Sequence, residues 1–234
     1  MAIILEAKAI SKKYHQKFVL KDVNLIIHQH EKIGLIGANG SGKTTLSEII
    51  AGVRKPNNGE IIYQPNLTIG MQFQNSQYPP GLTIMDMIKY YCKVFQLSFQ
   101  QDKIKQLIST YQLTEVAKKK IVKLSGGQQQ RLNILLSVIH QPQLVILDEV
   151  STGLDIAVKE TIFQFLEQNI ITNQRAMLLV SHNMEEIERF CERVIYLSSG
   201  KIKADLAVTD ILQKYGSVFN HTKEMFENEQ NKDS

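Results

Sequence analysis

A strand-sized apolar run, Lys32–Ile36, feeds directly into Gly37-Ala38-Asn39-Gly40-Ser41-Gly42-Lys43-Thr44, and a helical pattern follows. No other feature of the sequence narrows the fold so far. Leu46, Ile49 and Ile50 recur at helical spacing through residues 43–51, and Gly52 supplies a C-terminal stop. Strand, glycine-rich turn and helix in that order set a helix N-terminus, with its unsatisfied N–H groups, at the end of a buried strand. Further along, 144–147, Ala176–Val180 and 193–197 are apolar runs separated by helical stretches at 156–171 and Met184–Phe190. That alternation predicts an α/β chain with a parallel sheet flanked by helices.

The rest of the chain fits around this core. Short strand-like runs at 3–7, 23–27, 60–63 and 68–73 fill the first third. After Pro79, Pro80 and Gly81 the pattern becomes helical over 83–95 and again over 101–111, so residues 76–139 read as a helical insertion between two halves of a sheet domain. The final stretch, 221–234, is polar and is expected to be a loosely ordered tail. Lysine and arginine exceed acids by only four over 234 residues, too weak and too dispersed a balance to indicate nucleic acid, and none is expected as a partner. Cys92 and Cys191 are the only cysteines, which excludes a disulfide scaffold and points to a reducing compartment. No apolar run approaches the roughly 18–20 residues of a membrane span, and the N-terminus lacks the pattern of a signal peptide.

The glycine-rich segment fits G-x-x-x-x-G-K-[ST], the phosphate-binding loop. Its glycines allow a tight turn whose N–H groups converge on phosphates, Lys43 would reach the β- and γ-phosphates, and the Thr44 hydroxyl would ligate Mg²⁺. The run at 144–147 delivers two carboxylates, Asp148 and Glu149, at its carboxyl end, where a parallel sheet binds ligands. Asp148 would hold Mg²⁺, mostly through water, and Glu149 would polarise an attacking water.

Between these motifs lies Leu124-Ser125-Gly126-Gly127-Gln128, followed by Gln129-Gln130-Arg131-Leu132. With it, residues 3–205 resemble an ATP-binding-cassette (ABC) ATPase, for which that pentapeptide is the signature. Ser125 and two glycines opening a helix would offer a hydroxyl and N–H groups to a phosphate. The resemblance implies a P-loop NTPase core (1–75 and 140–220 of a domain spanning 1–220), an N-terminal antiparallel β subdomain and an inserted helical subdomain at about 76–139. It implies that ATP is held by Gly37, Ala38, Asn39, Gly40, Ser41, Gly42, Lys43, Thr44 and Thr45, with Tyr14 stacking on adenine; a core tyrosine is the competing role for Tyr14. It assigns Gln74 to Mg²⁺ and to communication with the helical block, although Gln72 and Gln77 stand nearby. Thr44 and Asp148 complete the metal set, Glu149 acts on water, His182 holds the γ-phosphate, and Asp155 belongs to a loop that crosses a dimer interface.

Two cassettes would then sandwich two ATP head to tail, Ser125, Gly126, Gly127 and Gln128 of one facing the phosphates of the other. As a transporter subunit, the chain would lie at the cytoplasmic face of the membrane and drive separate permease subunits. The segment 81–88 resembles exporters of drugs, peptides or polysaccharides; an importer cassette and a soluble cluster-assembly ATPase are the alternatives. Two positions depart from the family pattern: His15 stands where a glycine often follows the tyrosine, and Val150 replaces the usual proline after the glutamate.

Overall fold

The apolar runs become the innermost strands. The structure, a computed structural model, describes residues 1–73, 76–98, 100–151, 154–171 and 175–230. The chain divides into two compact units, residues 1–67 with 175–234, and residues 68–174. The first unit opens with β1 (Ile3–Tyr14), β2 (Lys17–His28), β3 (Lys32–Ile36), α1 (Lys43–Ile50) and β4 (Asn58–Tyr63). The second comprises β5 (Ile69–Gln72), α2 (Ile84–Val94), α3 (Gln101–Thr110), α4 (Gly126–Val138), β6 (Leu144–Asp148) and α5 (Ile156–Leu166). The chain returns to the first unit with β7 (Ala176–Val180), α6 (Met184–Phe190), β8 (Arg193–Ser198), β9 (Lys201–Ala207), α7 (Val208–Tyr215) and α8 (Val218–Gln230).

In the first unit β1 pairs antiparallel with both β2 and β4, forming the expected β subdomain. The turn between β1 and β2 falls at His15, whose φ of 53° is the left-handed conformation that a tight hairpin demands. Histidine tolerates it, which explains how His15 replaces the customary glycine. β3 is the centre of the other sheet, parallel to β7 on one side and β8 on the other, with β9 antiparallel on β8. Every residue of β3 and β7 is buried, as continuous apolar strands covered on both faces must be. A Cβ on Gly34 would stand 2.9 Å from the Ile187 side chain, so glycine here lets α6 lie close on β3. Arg193 joins the edge strands: its guanidinium donates to Glu31 at 2.9 Å, to the Ile26 carbonyl at 3.0 Å, and to Asp205. Hydrogen bonding to Asp205 pushes its pKa further up.

In the second unit β5 and β6 are parallel, with Gln72 level with Leu147. A Cβ on Gly70 would come within 1.8 Å of the Ser137 carbonyl, which shows how closely α4 lies on β5. Thr83 caps α2 in a reciprocal box with Asp86, and hydrogen bonds from Thr83 pull the Asp86 carboxyl below its ordinary pKa. Tyr111 stacks on Phe165 with ring centroids 5.1 Å apart.

The C-terminus corrects one expectation. Of the stretch 221–234 expected to be a loose tail, the part up to Gln230 is helical: helix α8 runs from Val218 to Gln230, with Val218, His221 and Thr222 buried, and 231–234 lie outside the described residues. The polar composition concealed a helical face that repeats at three- and four-residue intervals.

Candidate nucleotide site

In the first unit β3 ends at Ile36 and the loop turns at once. Gly37 lies at φ 150° with no room for a side chain, because a Cβ there would be 2.0 Å from the Leu197 carbonyl. Gly42, at φ 109°, is similarly pressed on the Val19 carbonyl and Leu20 at 2.8 Å. Glycine is therefore required at both ends of the loop by backbone shape and by space. Ala38, Asn39 and Gly40 are exposed, while Ser41 and Lys43 are buried and Thr44, in the first turn of α1, is exposed beside half-buried Thr45. Lys43 Nζ donates to the carbonyls of Gly37 at 2.9 Å and Ala38 at 3.1 Å, so its ammonium lies back across the cradle. Ser41 Oγ is buried and has no hydrogen-bond partner among the described residues.

His182 follows β7 and is exposed. Its loop is tied at both sides: Ser181 Oγ donates to the buried Glu186 carboxylate at 2.7 Å, and it accepts from the Asn183 N–H at 3.0 Å. Asn183 then caps α6 by accepting from the Glu185 N–H. His182 and Gly37 line one cavity in this unit. Tyr14, at the end of β1, is half-buried, with the Arg54 guanidinium 5.3 Å and Lys12 Nζ 5.7 Å from its ring centroid. It is thus a surface ring attended by cations, not a core tyrosine.

In the second unit β6 presents Asp148 buried, and Glu149 half-buried one residue on. Glu149 has φ 54°, a left-handed backbone unusual for a glutamate, and such strain concentrates at functional positions. Val150 is buried, so the residue replacing proline acts as an apolar anchor beneath that turn. Gln72 was not selected from sequence, yet it is 2% exposed and its Oε1 accepts the Asp148 N–H at 3.2 Å. The only signal for it was a buried-phase amide at a strand end, and that signal needs strand register to be read. Gln74, Thr152 and Gly153 lie outside the described residues.

Ser125 caps α4 in a reciprocal box: its Oγ accepts the Gln128 N–H at 3.3 Å, and Gln128 Oε1 accepts the Ser125 N–H at 3.1 Å. Ser125 and Gly126 are exposed, whereas Gly127 is buried against Val158, 2.6 Å from where its Cβ would be. Gln129 Nε2 donates to the Ser76 carbonyl and Tyr78 Oη to Asn133, fixing α4 to the segment after β5. Burial raises the Tyr78 pKa and keeps its hydroxyl protonated. Asp155 is exposed and caps α5 by accepting the Val158 N–H at 3.0 Å.

These residues fit a magnesium nucleotide. A loop closed to a Cβ at Gly37 and Gly42, a buried lysine lying across it and an unsatisfied buried hydroxyl are features suited to an anion. Thr44, exposed in the first unit, and Asp148, buried in the second, are each a hard oxygen donor of the kind that Mg²⁺ prefers.

Residues 20–152 match the ABC transporter family. The chain belongs to that family. It is 31% identical over 215 residues to the nickel import system ATP-binding protein NikE of Staphylococcus aureus (strain MSSA476), covering 89% of this chain and 92% of that protein. The dimeric ATP-binding cassette MJ0796, in a post-hydrolysis state with ADP and Pi, superposes with a TM-score of 0.77 at 26% identity, over 87% of this chain and 98% of that one. The ATP-binding subunit of another ABC transporter gives a TM-score of 0.78 at 24% identity, over 91% and 93%. The cassette is accordingly the ATP-hydrolysing subunit of a transporter, uses ATP with Mg²⁺, and pairs with a second cassette and with membrane permease subunits at the cytoplasmic face. No helix among the described residues is long and apolar enough to cross a membrane.

Proposed function

We propose that Gly37 to Thr45 hold the nucleotide phosphates, that Tyr14 carries adenine, and that Thr44, Gln74 and Asp148 hold Mg²⁺. Held there, the metal would supply positive charge against the phosphate oxygens. The Lys43 ammonium leaves the Gly37 and Ala38 carbonyls for the β- and γ-phosphate oxygens, a stronger, charge-assisted pairing. Glu149 accepts a proton from the attacking water, or orients it, and the His182 imidazole donates to a γ-phosphate oxygen. Ser125, Gly126, Gly127 and Gln128 of a second cassette cover the same phosphate, and Asp155 lies in the loop between the two copies. Each site is thus completed only on closure, so ATP favours the closed pair by differential affinity and hydrolysis releases it. The helical block at about 76–139, reached through Gln74, passes that motion to the permease.

The observation that carries this reading is the cradle itself: a buried lysine held across a glycine loop that admits no side chain at Gly37 or Gly42. Purified chain with Mg²⁺ tests it. Glu149→Gln should bind ATP and lose turnover; turnover near that of the parent would remove Glu149 from the role.

For the direction of transport we infer uptake, with a metal cation such as nickel as cargo, on the likeness to the nickel import protein. Export rests on the texture of 81–88 alone. Inside-out vesicles holding cassette and permease decide the matter: ATP added outside should fail to load the lumen with cargo if the system takes it up, and lumenal accumulation would establish export.

A further inference from the structure

Helix α8 plays no part in the mechanism above, yet it is firmly fixed beside the nucleotide cradle. The Glu188 carboxylate on α6 accepts the Val218 N–H at 2.6 Å, which secures its first turn. Thr222 Oγ1 donates to the Val218 carbonyl at 2.7 Å, and the Phe226 ring stands edge-on to Tyr196, 5.7 Å between centroids. Between this helix and the cradle is a cavity of about 320 Å³, with Gly37, His182 and Met184 on one side and Phe219, Lys223 and Phe226 on the other. Phe219 is 61% exposed, a large apolar surface at the cavity rim. Lys223 and Glu227 are both exposed and only loosely paired at 3.8 Å, a contact that stabilises little within one chain.

We propose that α8 extends the face on which two copies of this chain close, and that the cavity receives Ile156 of the second copy. The proposal rests on the head-to-tail closure argued above. Three observations carry it. The cavity shares Gly37 and His182 with the nucleotide site, so a copy that covers the phosphates reaches its rim. Ile156 is 87% exposed, second only to Met1 at 90% among the described large apolar side chains. It directly follows Asp155, in the loop assigned to the interface. Each contact between the two copies occurs twice per dimer, so one substitution is felt twice.

The test uses the full chain carrying Glu149→Gln, with Mg²⁺ and ATP, and reads the dimer dissociation constant by sedimentation. Adding Phe219→Asp or Ile156→Asp should weaken the dimer about tenfold or more, while ATP affinity of the dilute protomer and its melting temperature stay unchanged. Phe219→Ala, which introduces no charge at an exposed position, should show a smaller loss in the same direction. The double variant Phe219→Asp/Ile156→Asp should lose less than the two single losses combined, as contacting residues do. Dimers as tight as the parent in both aspartate variants would overturn the inference. Failure of the Glu149→Gln parent to dimerise would instead overturn the closure reading beneath it.

Discussion

Glu149 combines the assigned chemistry with a left-handed backbone, φ 54°, and the two can be separated by substitution. Glu149→Gln keeps size and loses the base, so ATP turnover should fall about 10²–10⁴-fold in a phosphate-release assay. Glu149→Gly loses the base as well but removes a strain of about 1–2 kcal/mol, which offsets glycine's extra unfolded entropy. Its melting temperature should therefore not fall below that of the parent, although hydrolysis is lost; a clear drop would deny the strain. Lys43→Ala should abolish nucleotide binding in a fluorescence titration, because no other buried cation lies across the loop among the described residues. At this scale the sequence was most legible where spacing itself is the signal, as in the loop from Gly37 to Thr44 or the carboxylates after 144–147. Gln72 was not legible, because its hold on the Asp148 N–H exists only once β5 and β6 are in register.

Elements were legible in proportion to their apolar periodicity. β3, β7, α2 and α6 lie close to where their patterns put them. The alternation in β1 and β2 is broken by register shifts near Ala9 and Asp22, both at positive φ, so only their most apolar portions were expected and the strands run longer. α8 was missed because its inner face, Val218, His221, Thr222 and Phe226, has correct helical spacing but two polar members. One of them gives the helix a pH response. Burial pulls the His221 pKa below its ordinary value, with Glu224 opposing and Lys214 assisting. The folded state thus favours neutral His221, and the unfolded chain binds the proton more readily. Its contribution is complete above the unfolded pKa of about 6.5 and declines as pH falls below it. Protection factors of the α8 amides, corrected for intrinsic exchange, should be lower at pH 5.5 than at 7.5, and His221→Gln should remove most of that difference. Close approach sets a second prediction. Gly70→Ala forces a methyl onto the Ser137 carbonyl and should cost about 2–3 kcal/mol, lowering the melting temperature by roughly 5–10 °C. Gly126→Ala, whose Cβ meets only Leu154 at 3.8 Å, should leave it unchanged.

Over the whole molecule, the division of motifs between the two units is what the linear sequence conceals. The phosphate loop, Tyr14 and His182 belong to one unit, while Asp148, Glu149, the Ser125–Gln128 cap and Asp155 belong to the other. In the closed pair proposed above, a working site takes its phosphate loop from one copy and its Ser125 cap from a second. Mixing two crippled chains tests this most directly. Lys43→Ala and Ser125→Arg should each be inactive alone, since every site in either homodimer lacks one half. Mixed, they form heterodimers in which one of two sites has both halves intact, and Mg²⁺-dependent ATP hydrolysis should reappear. A mixture that stays as silent as its components, or a Ser125→Arg chain that hydrolyses ATP at the parent rate unaided, would contradict a site shared between two copies.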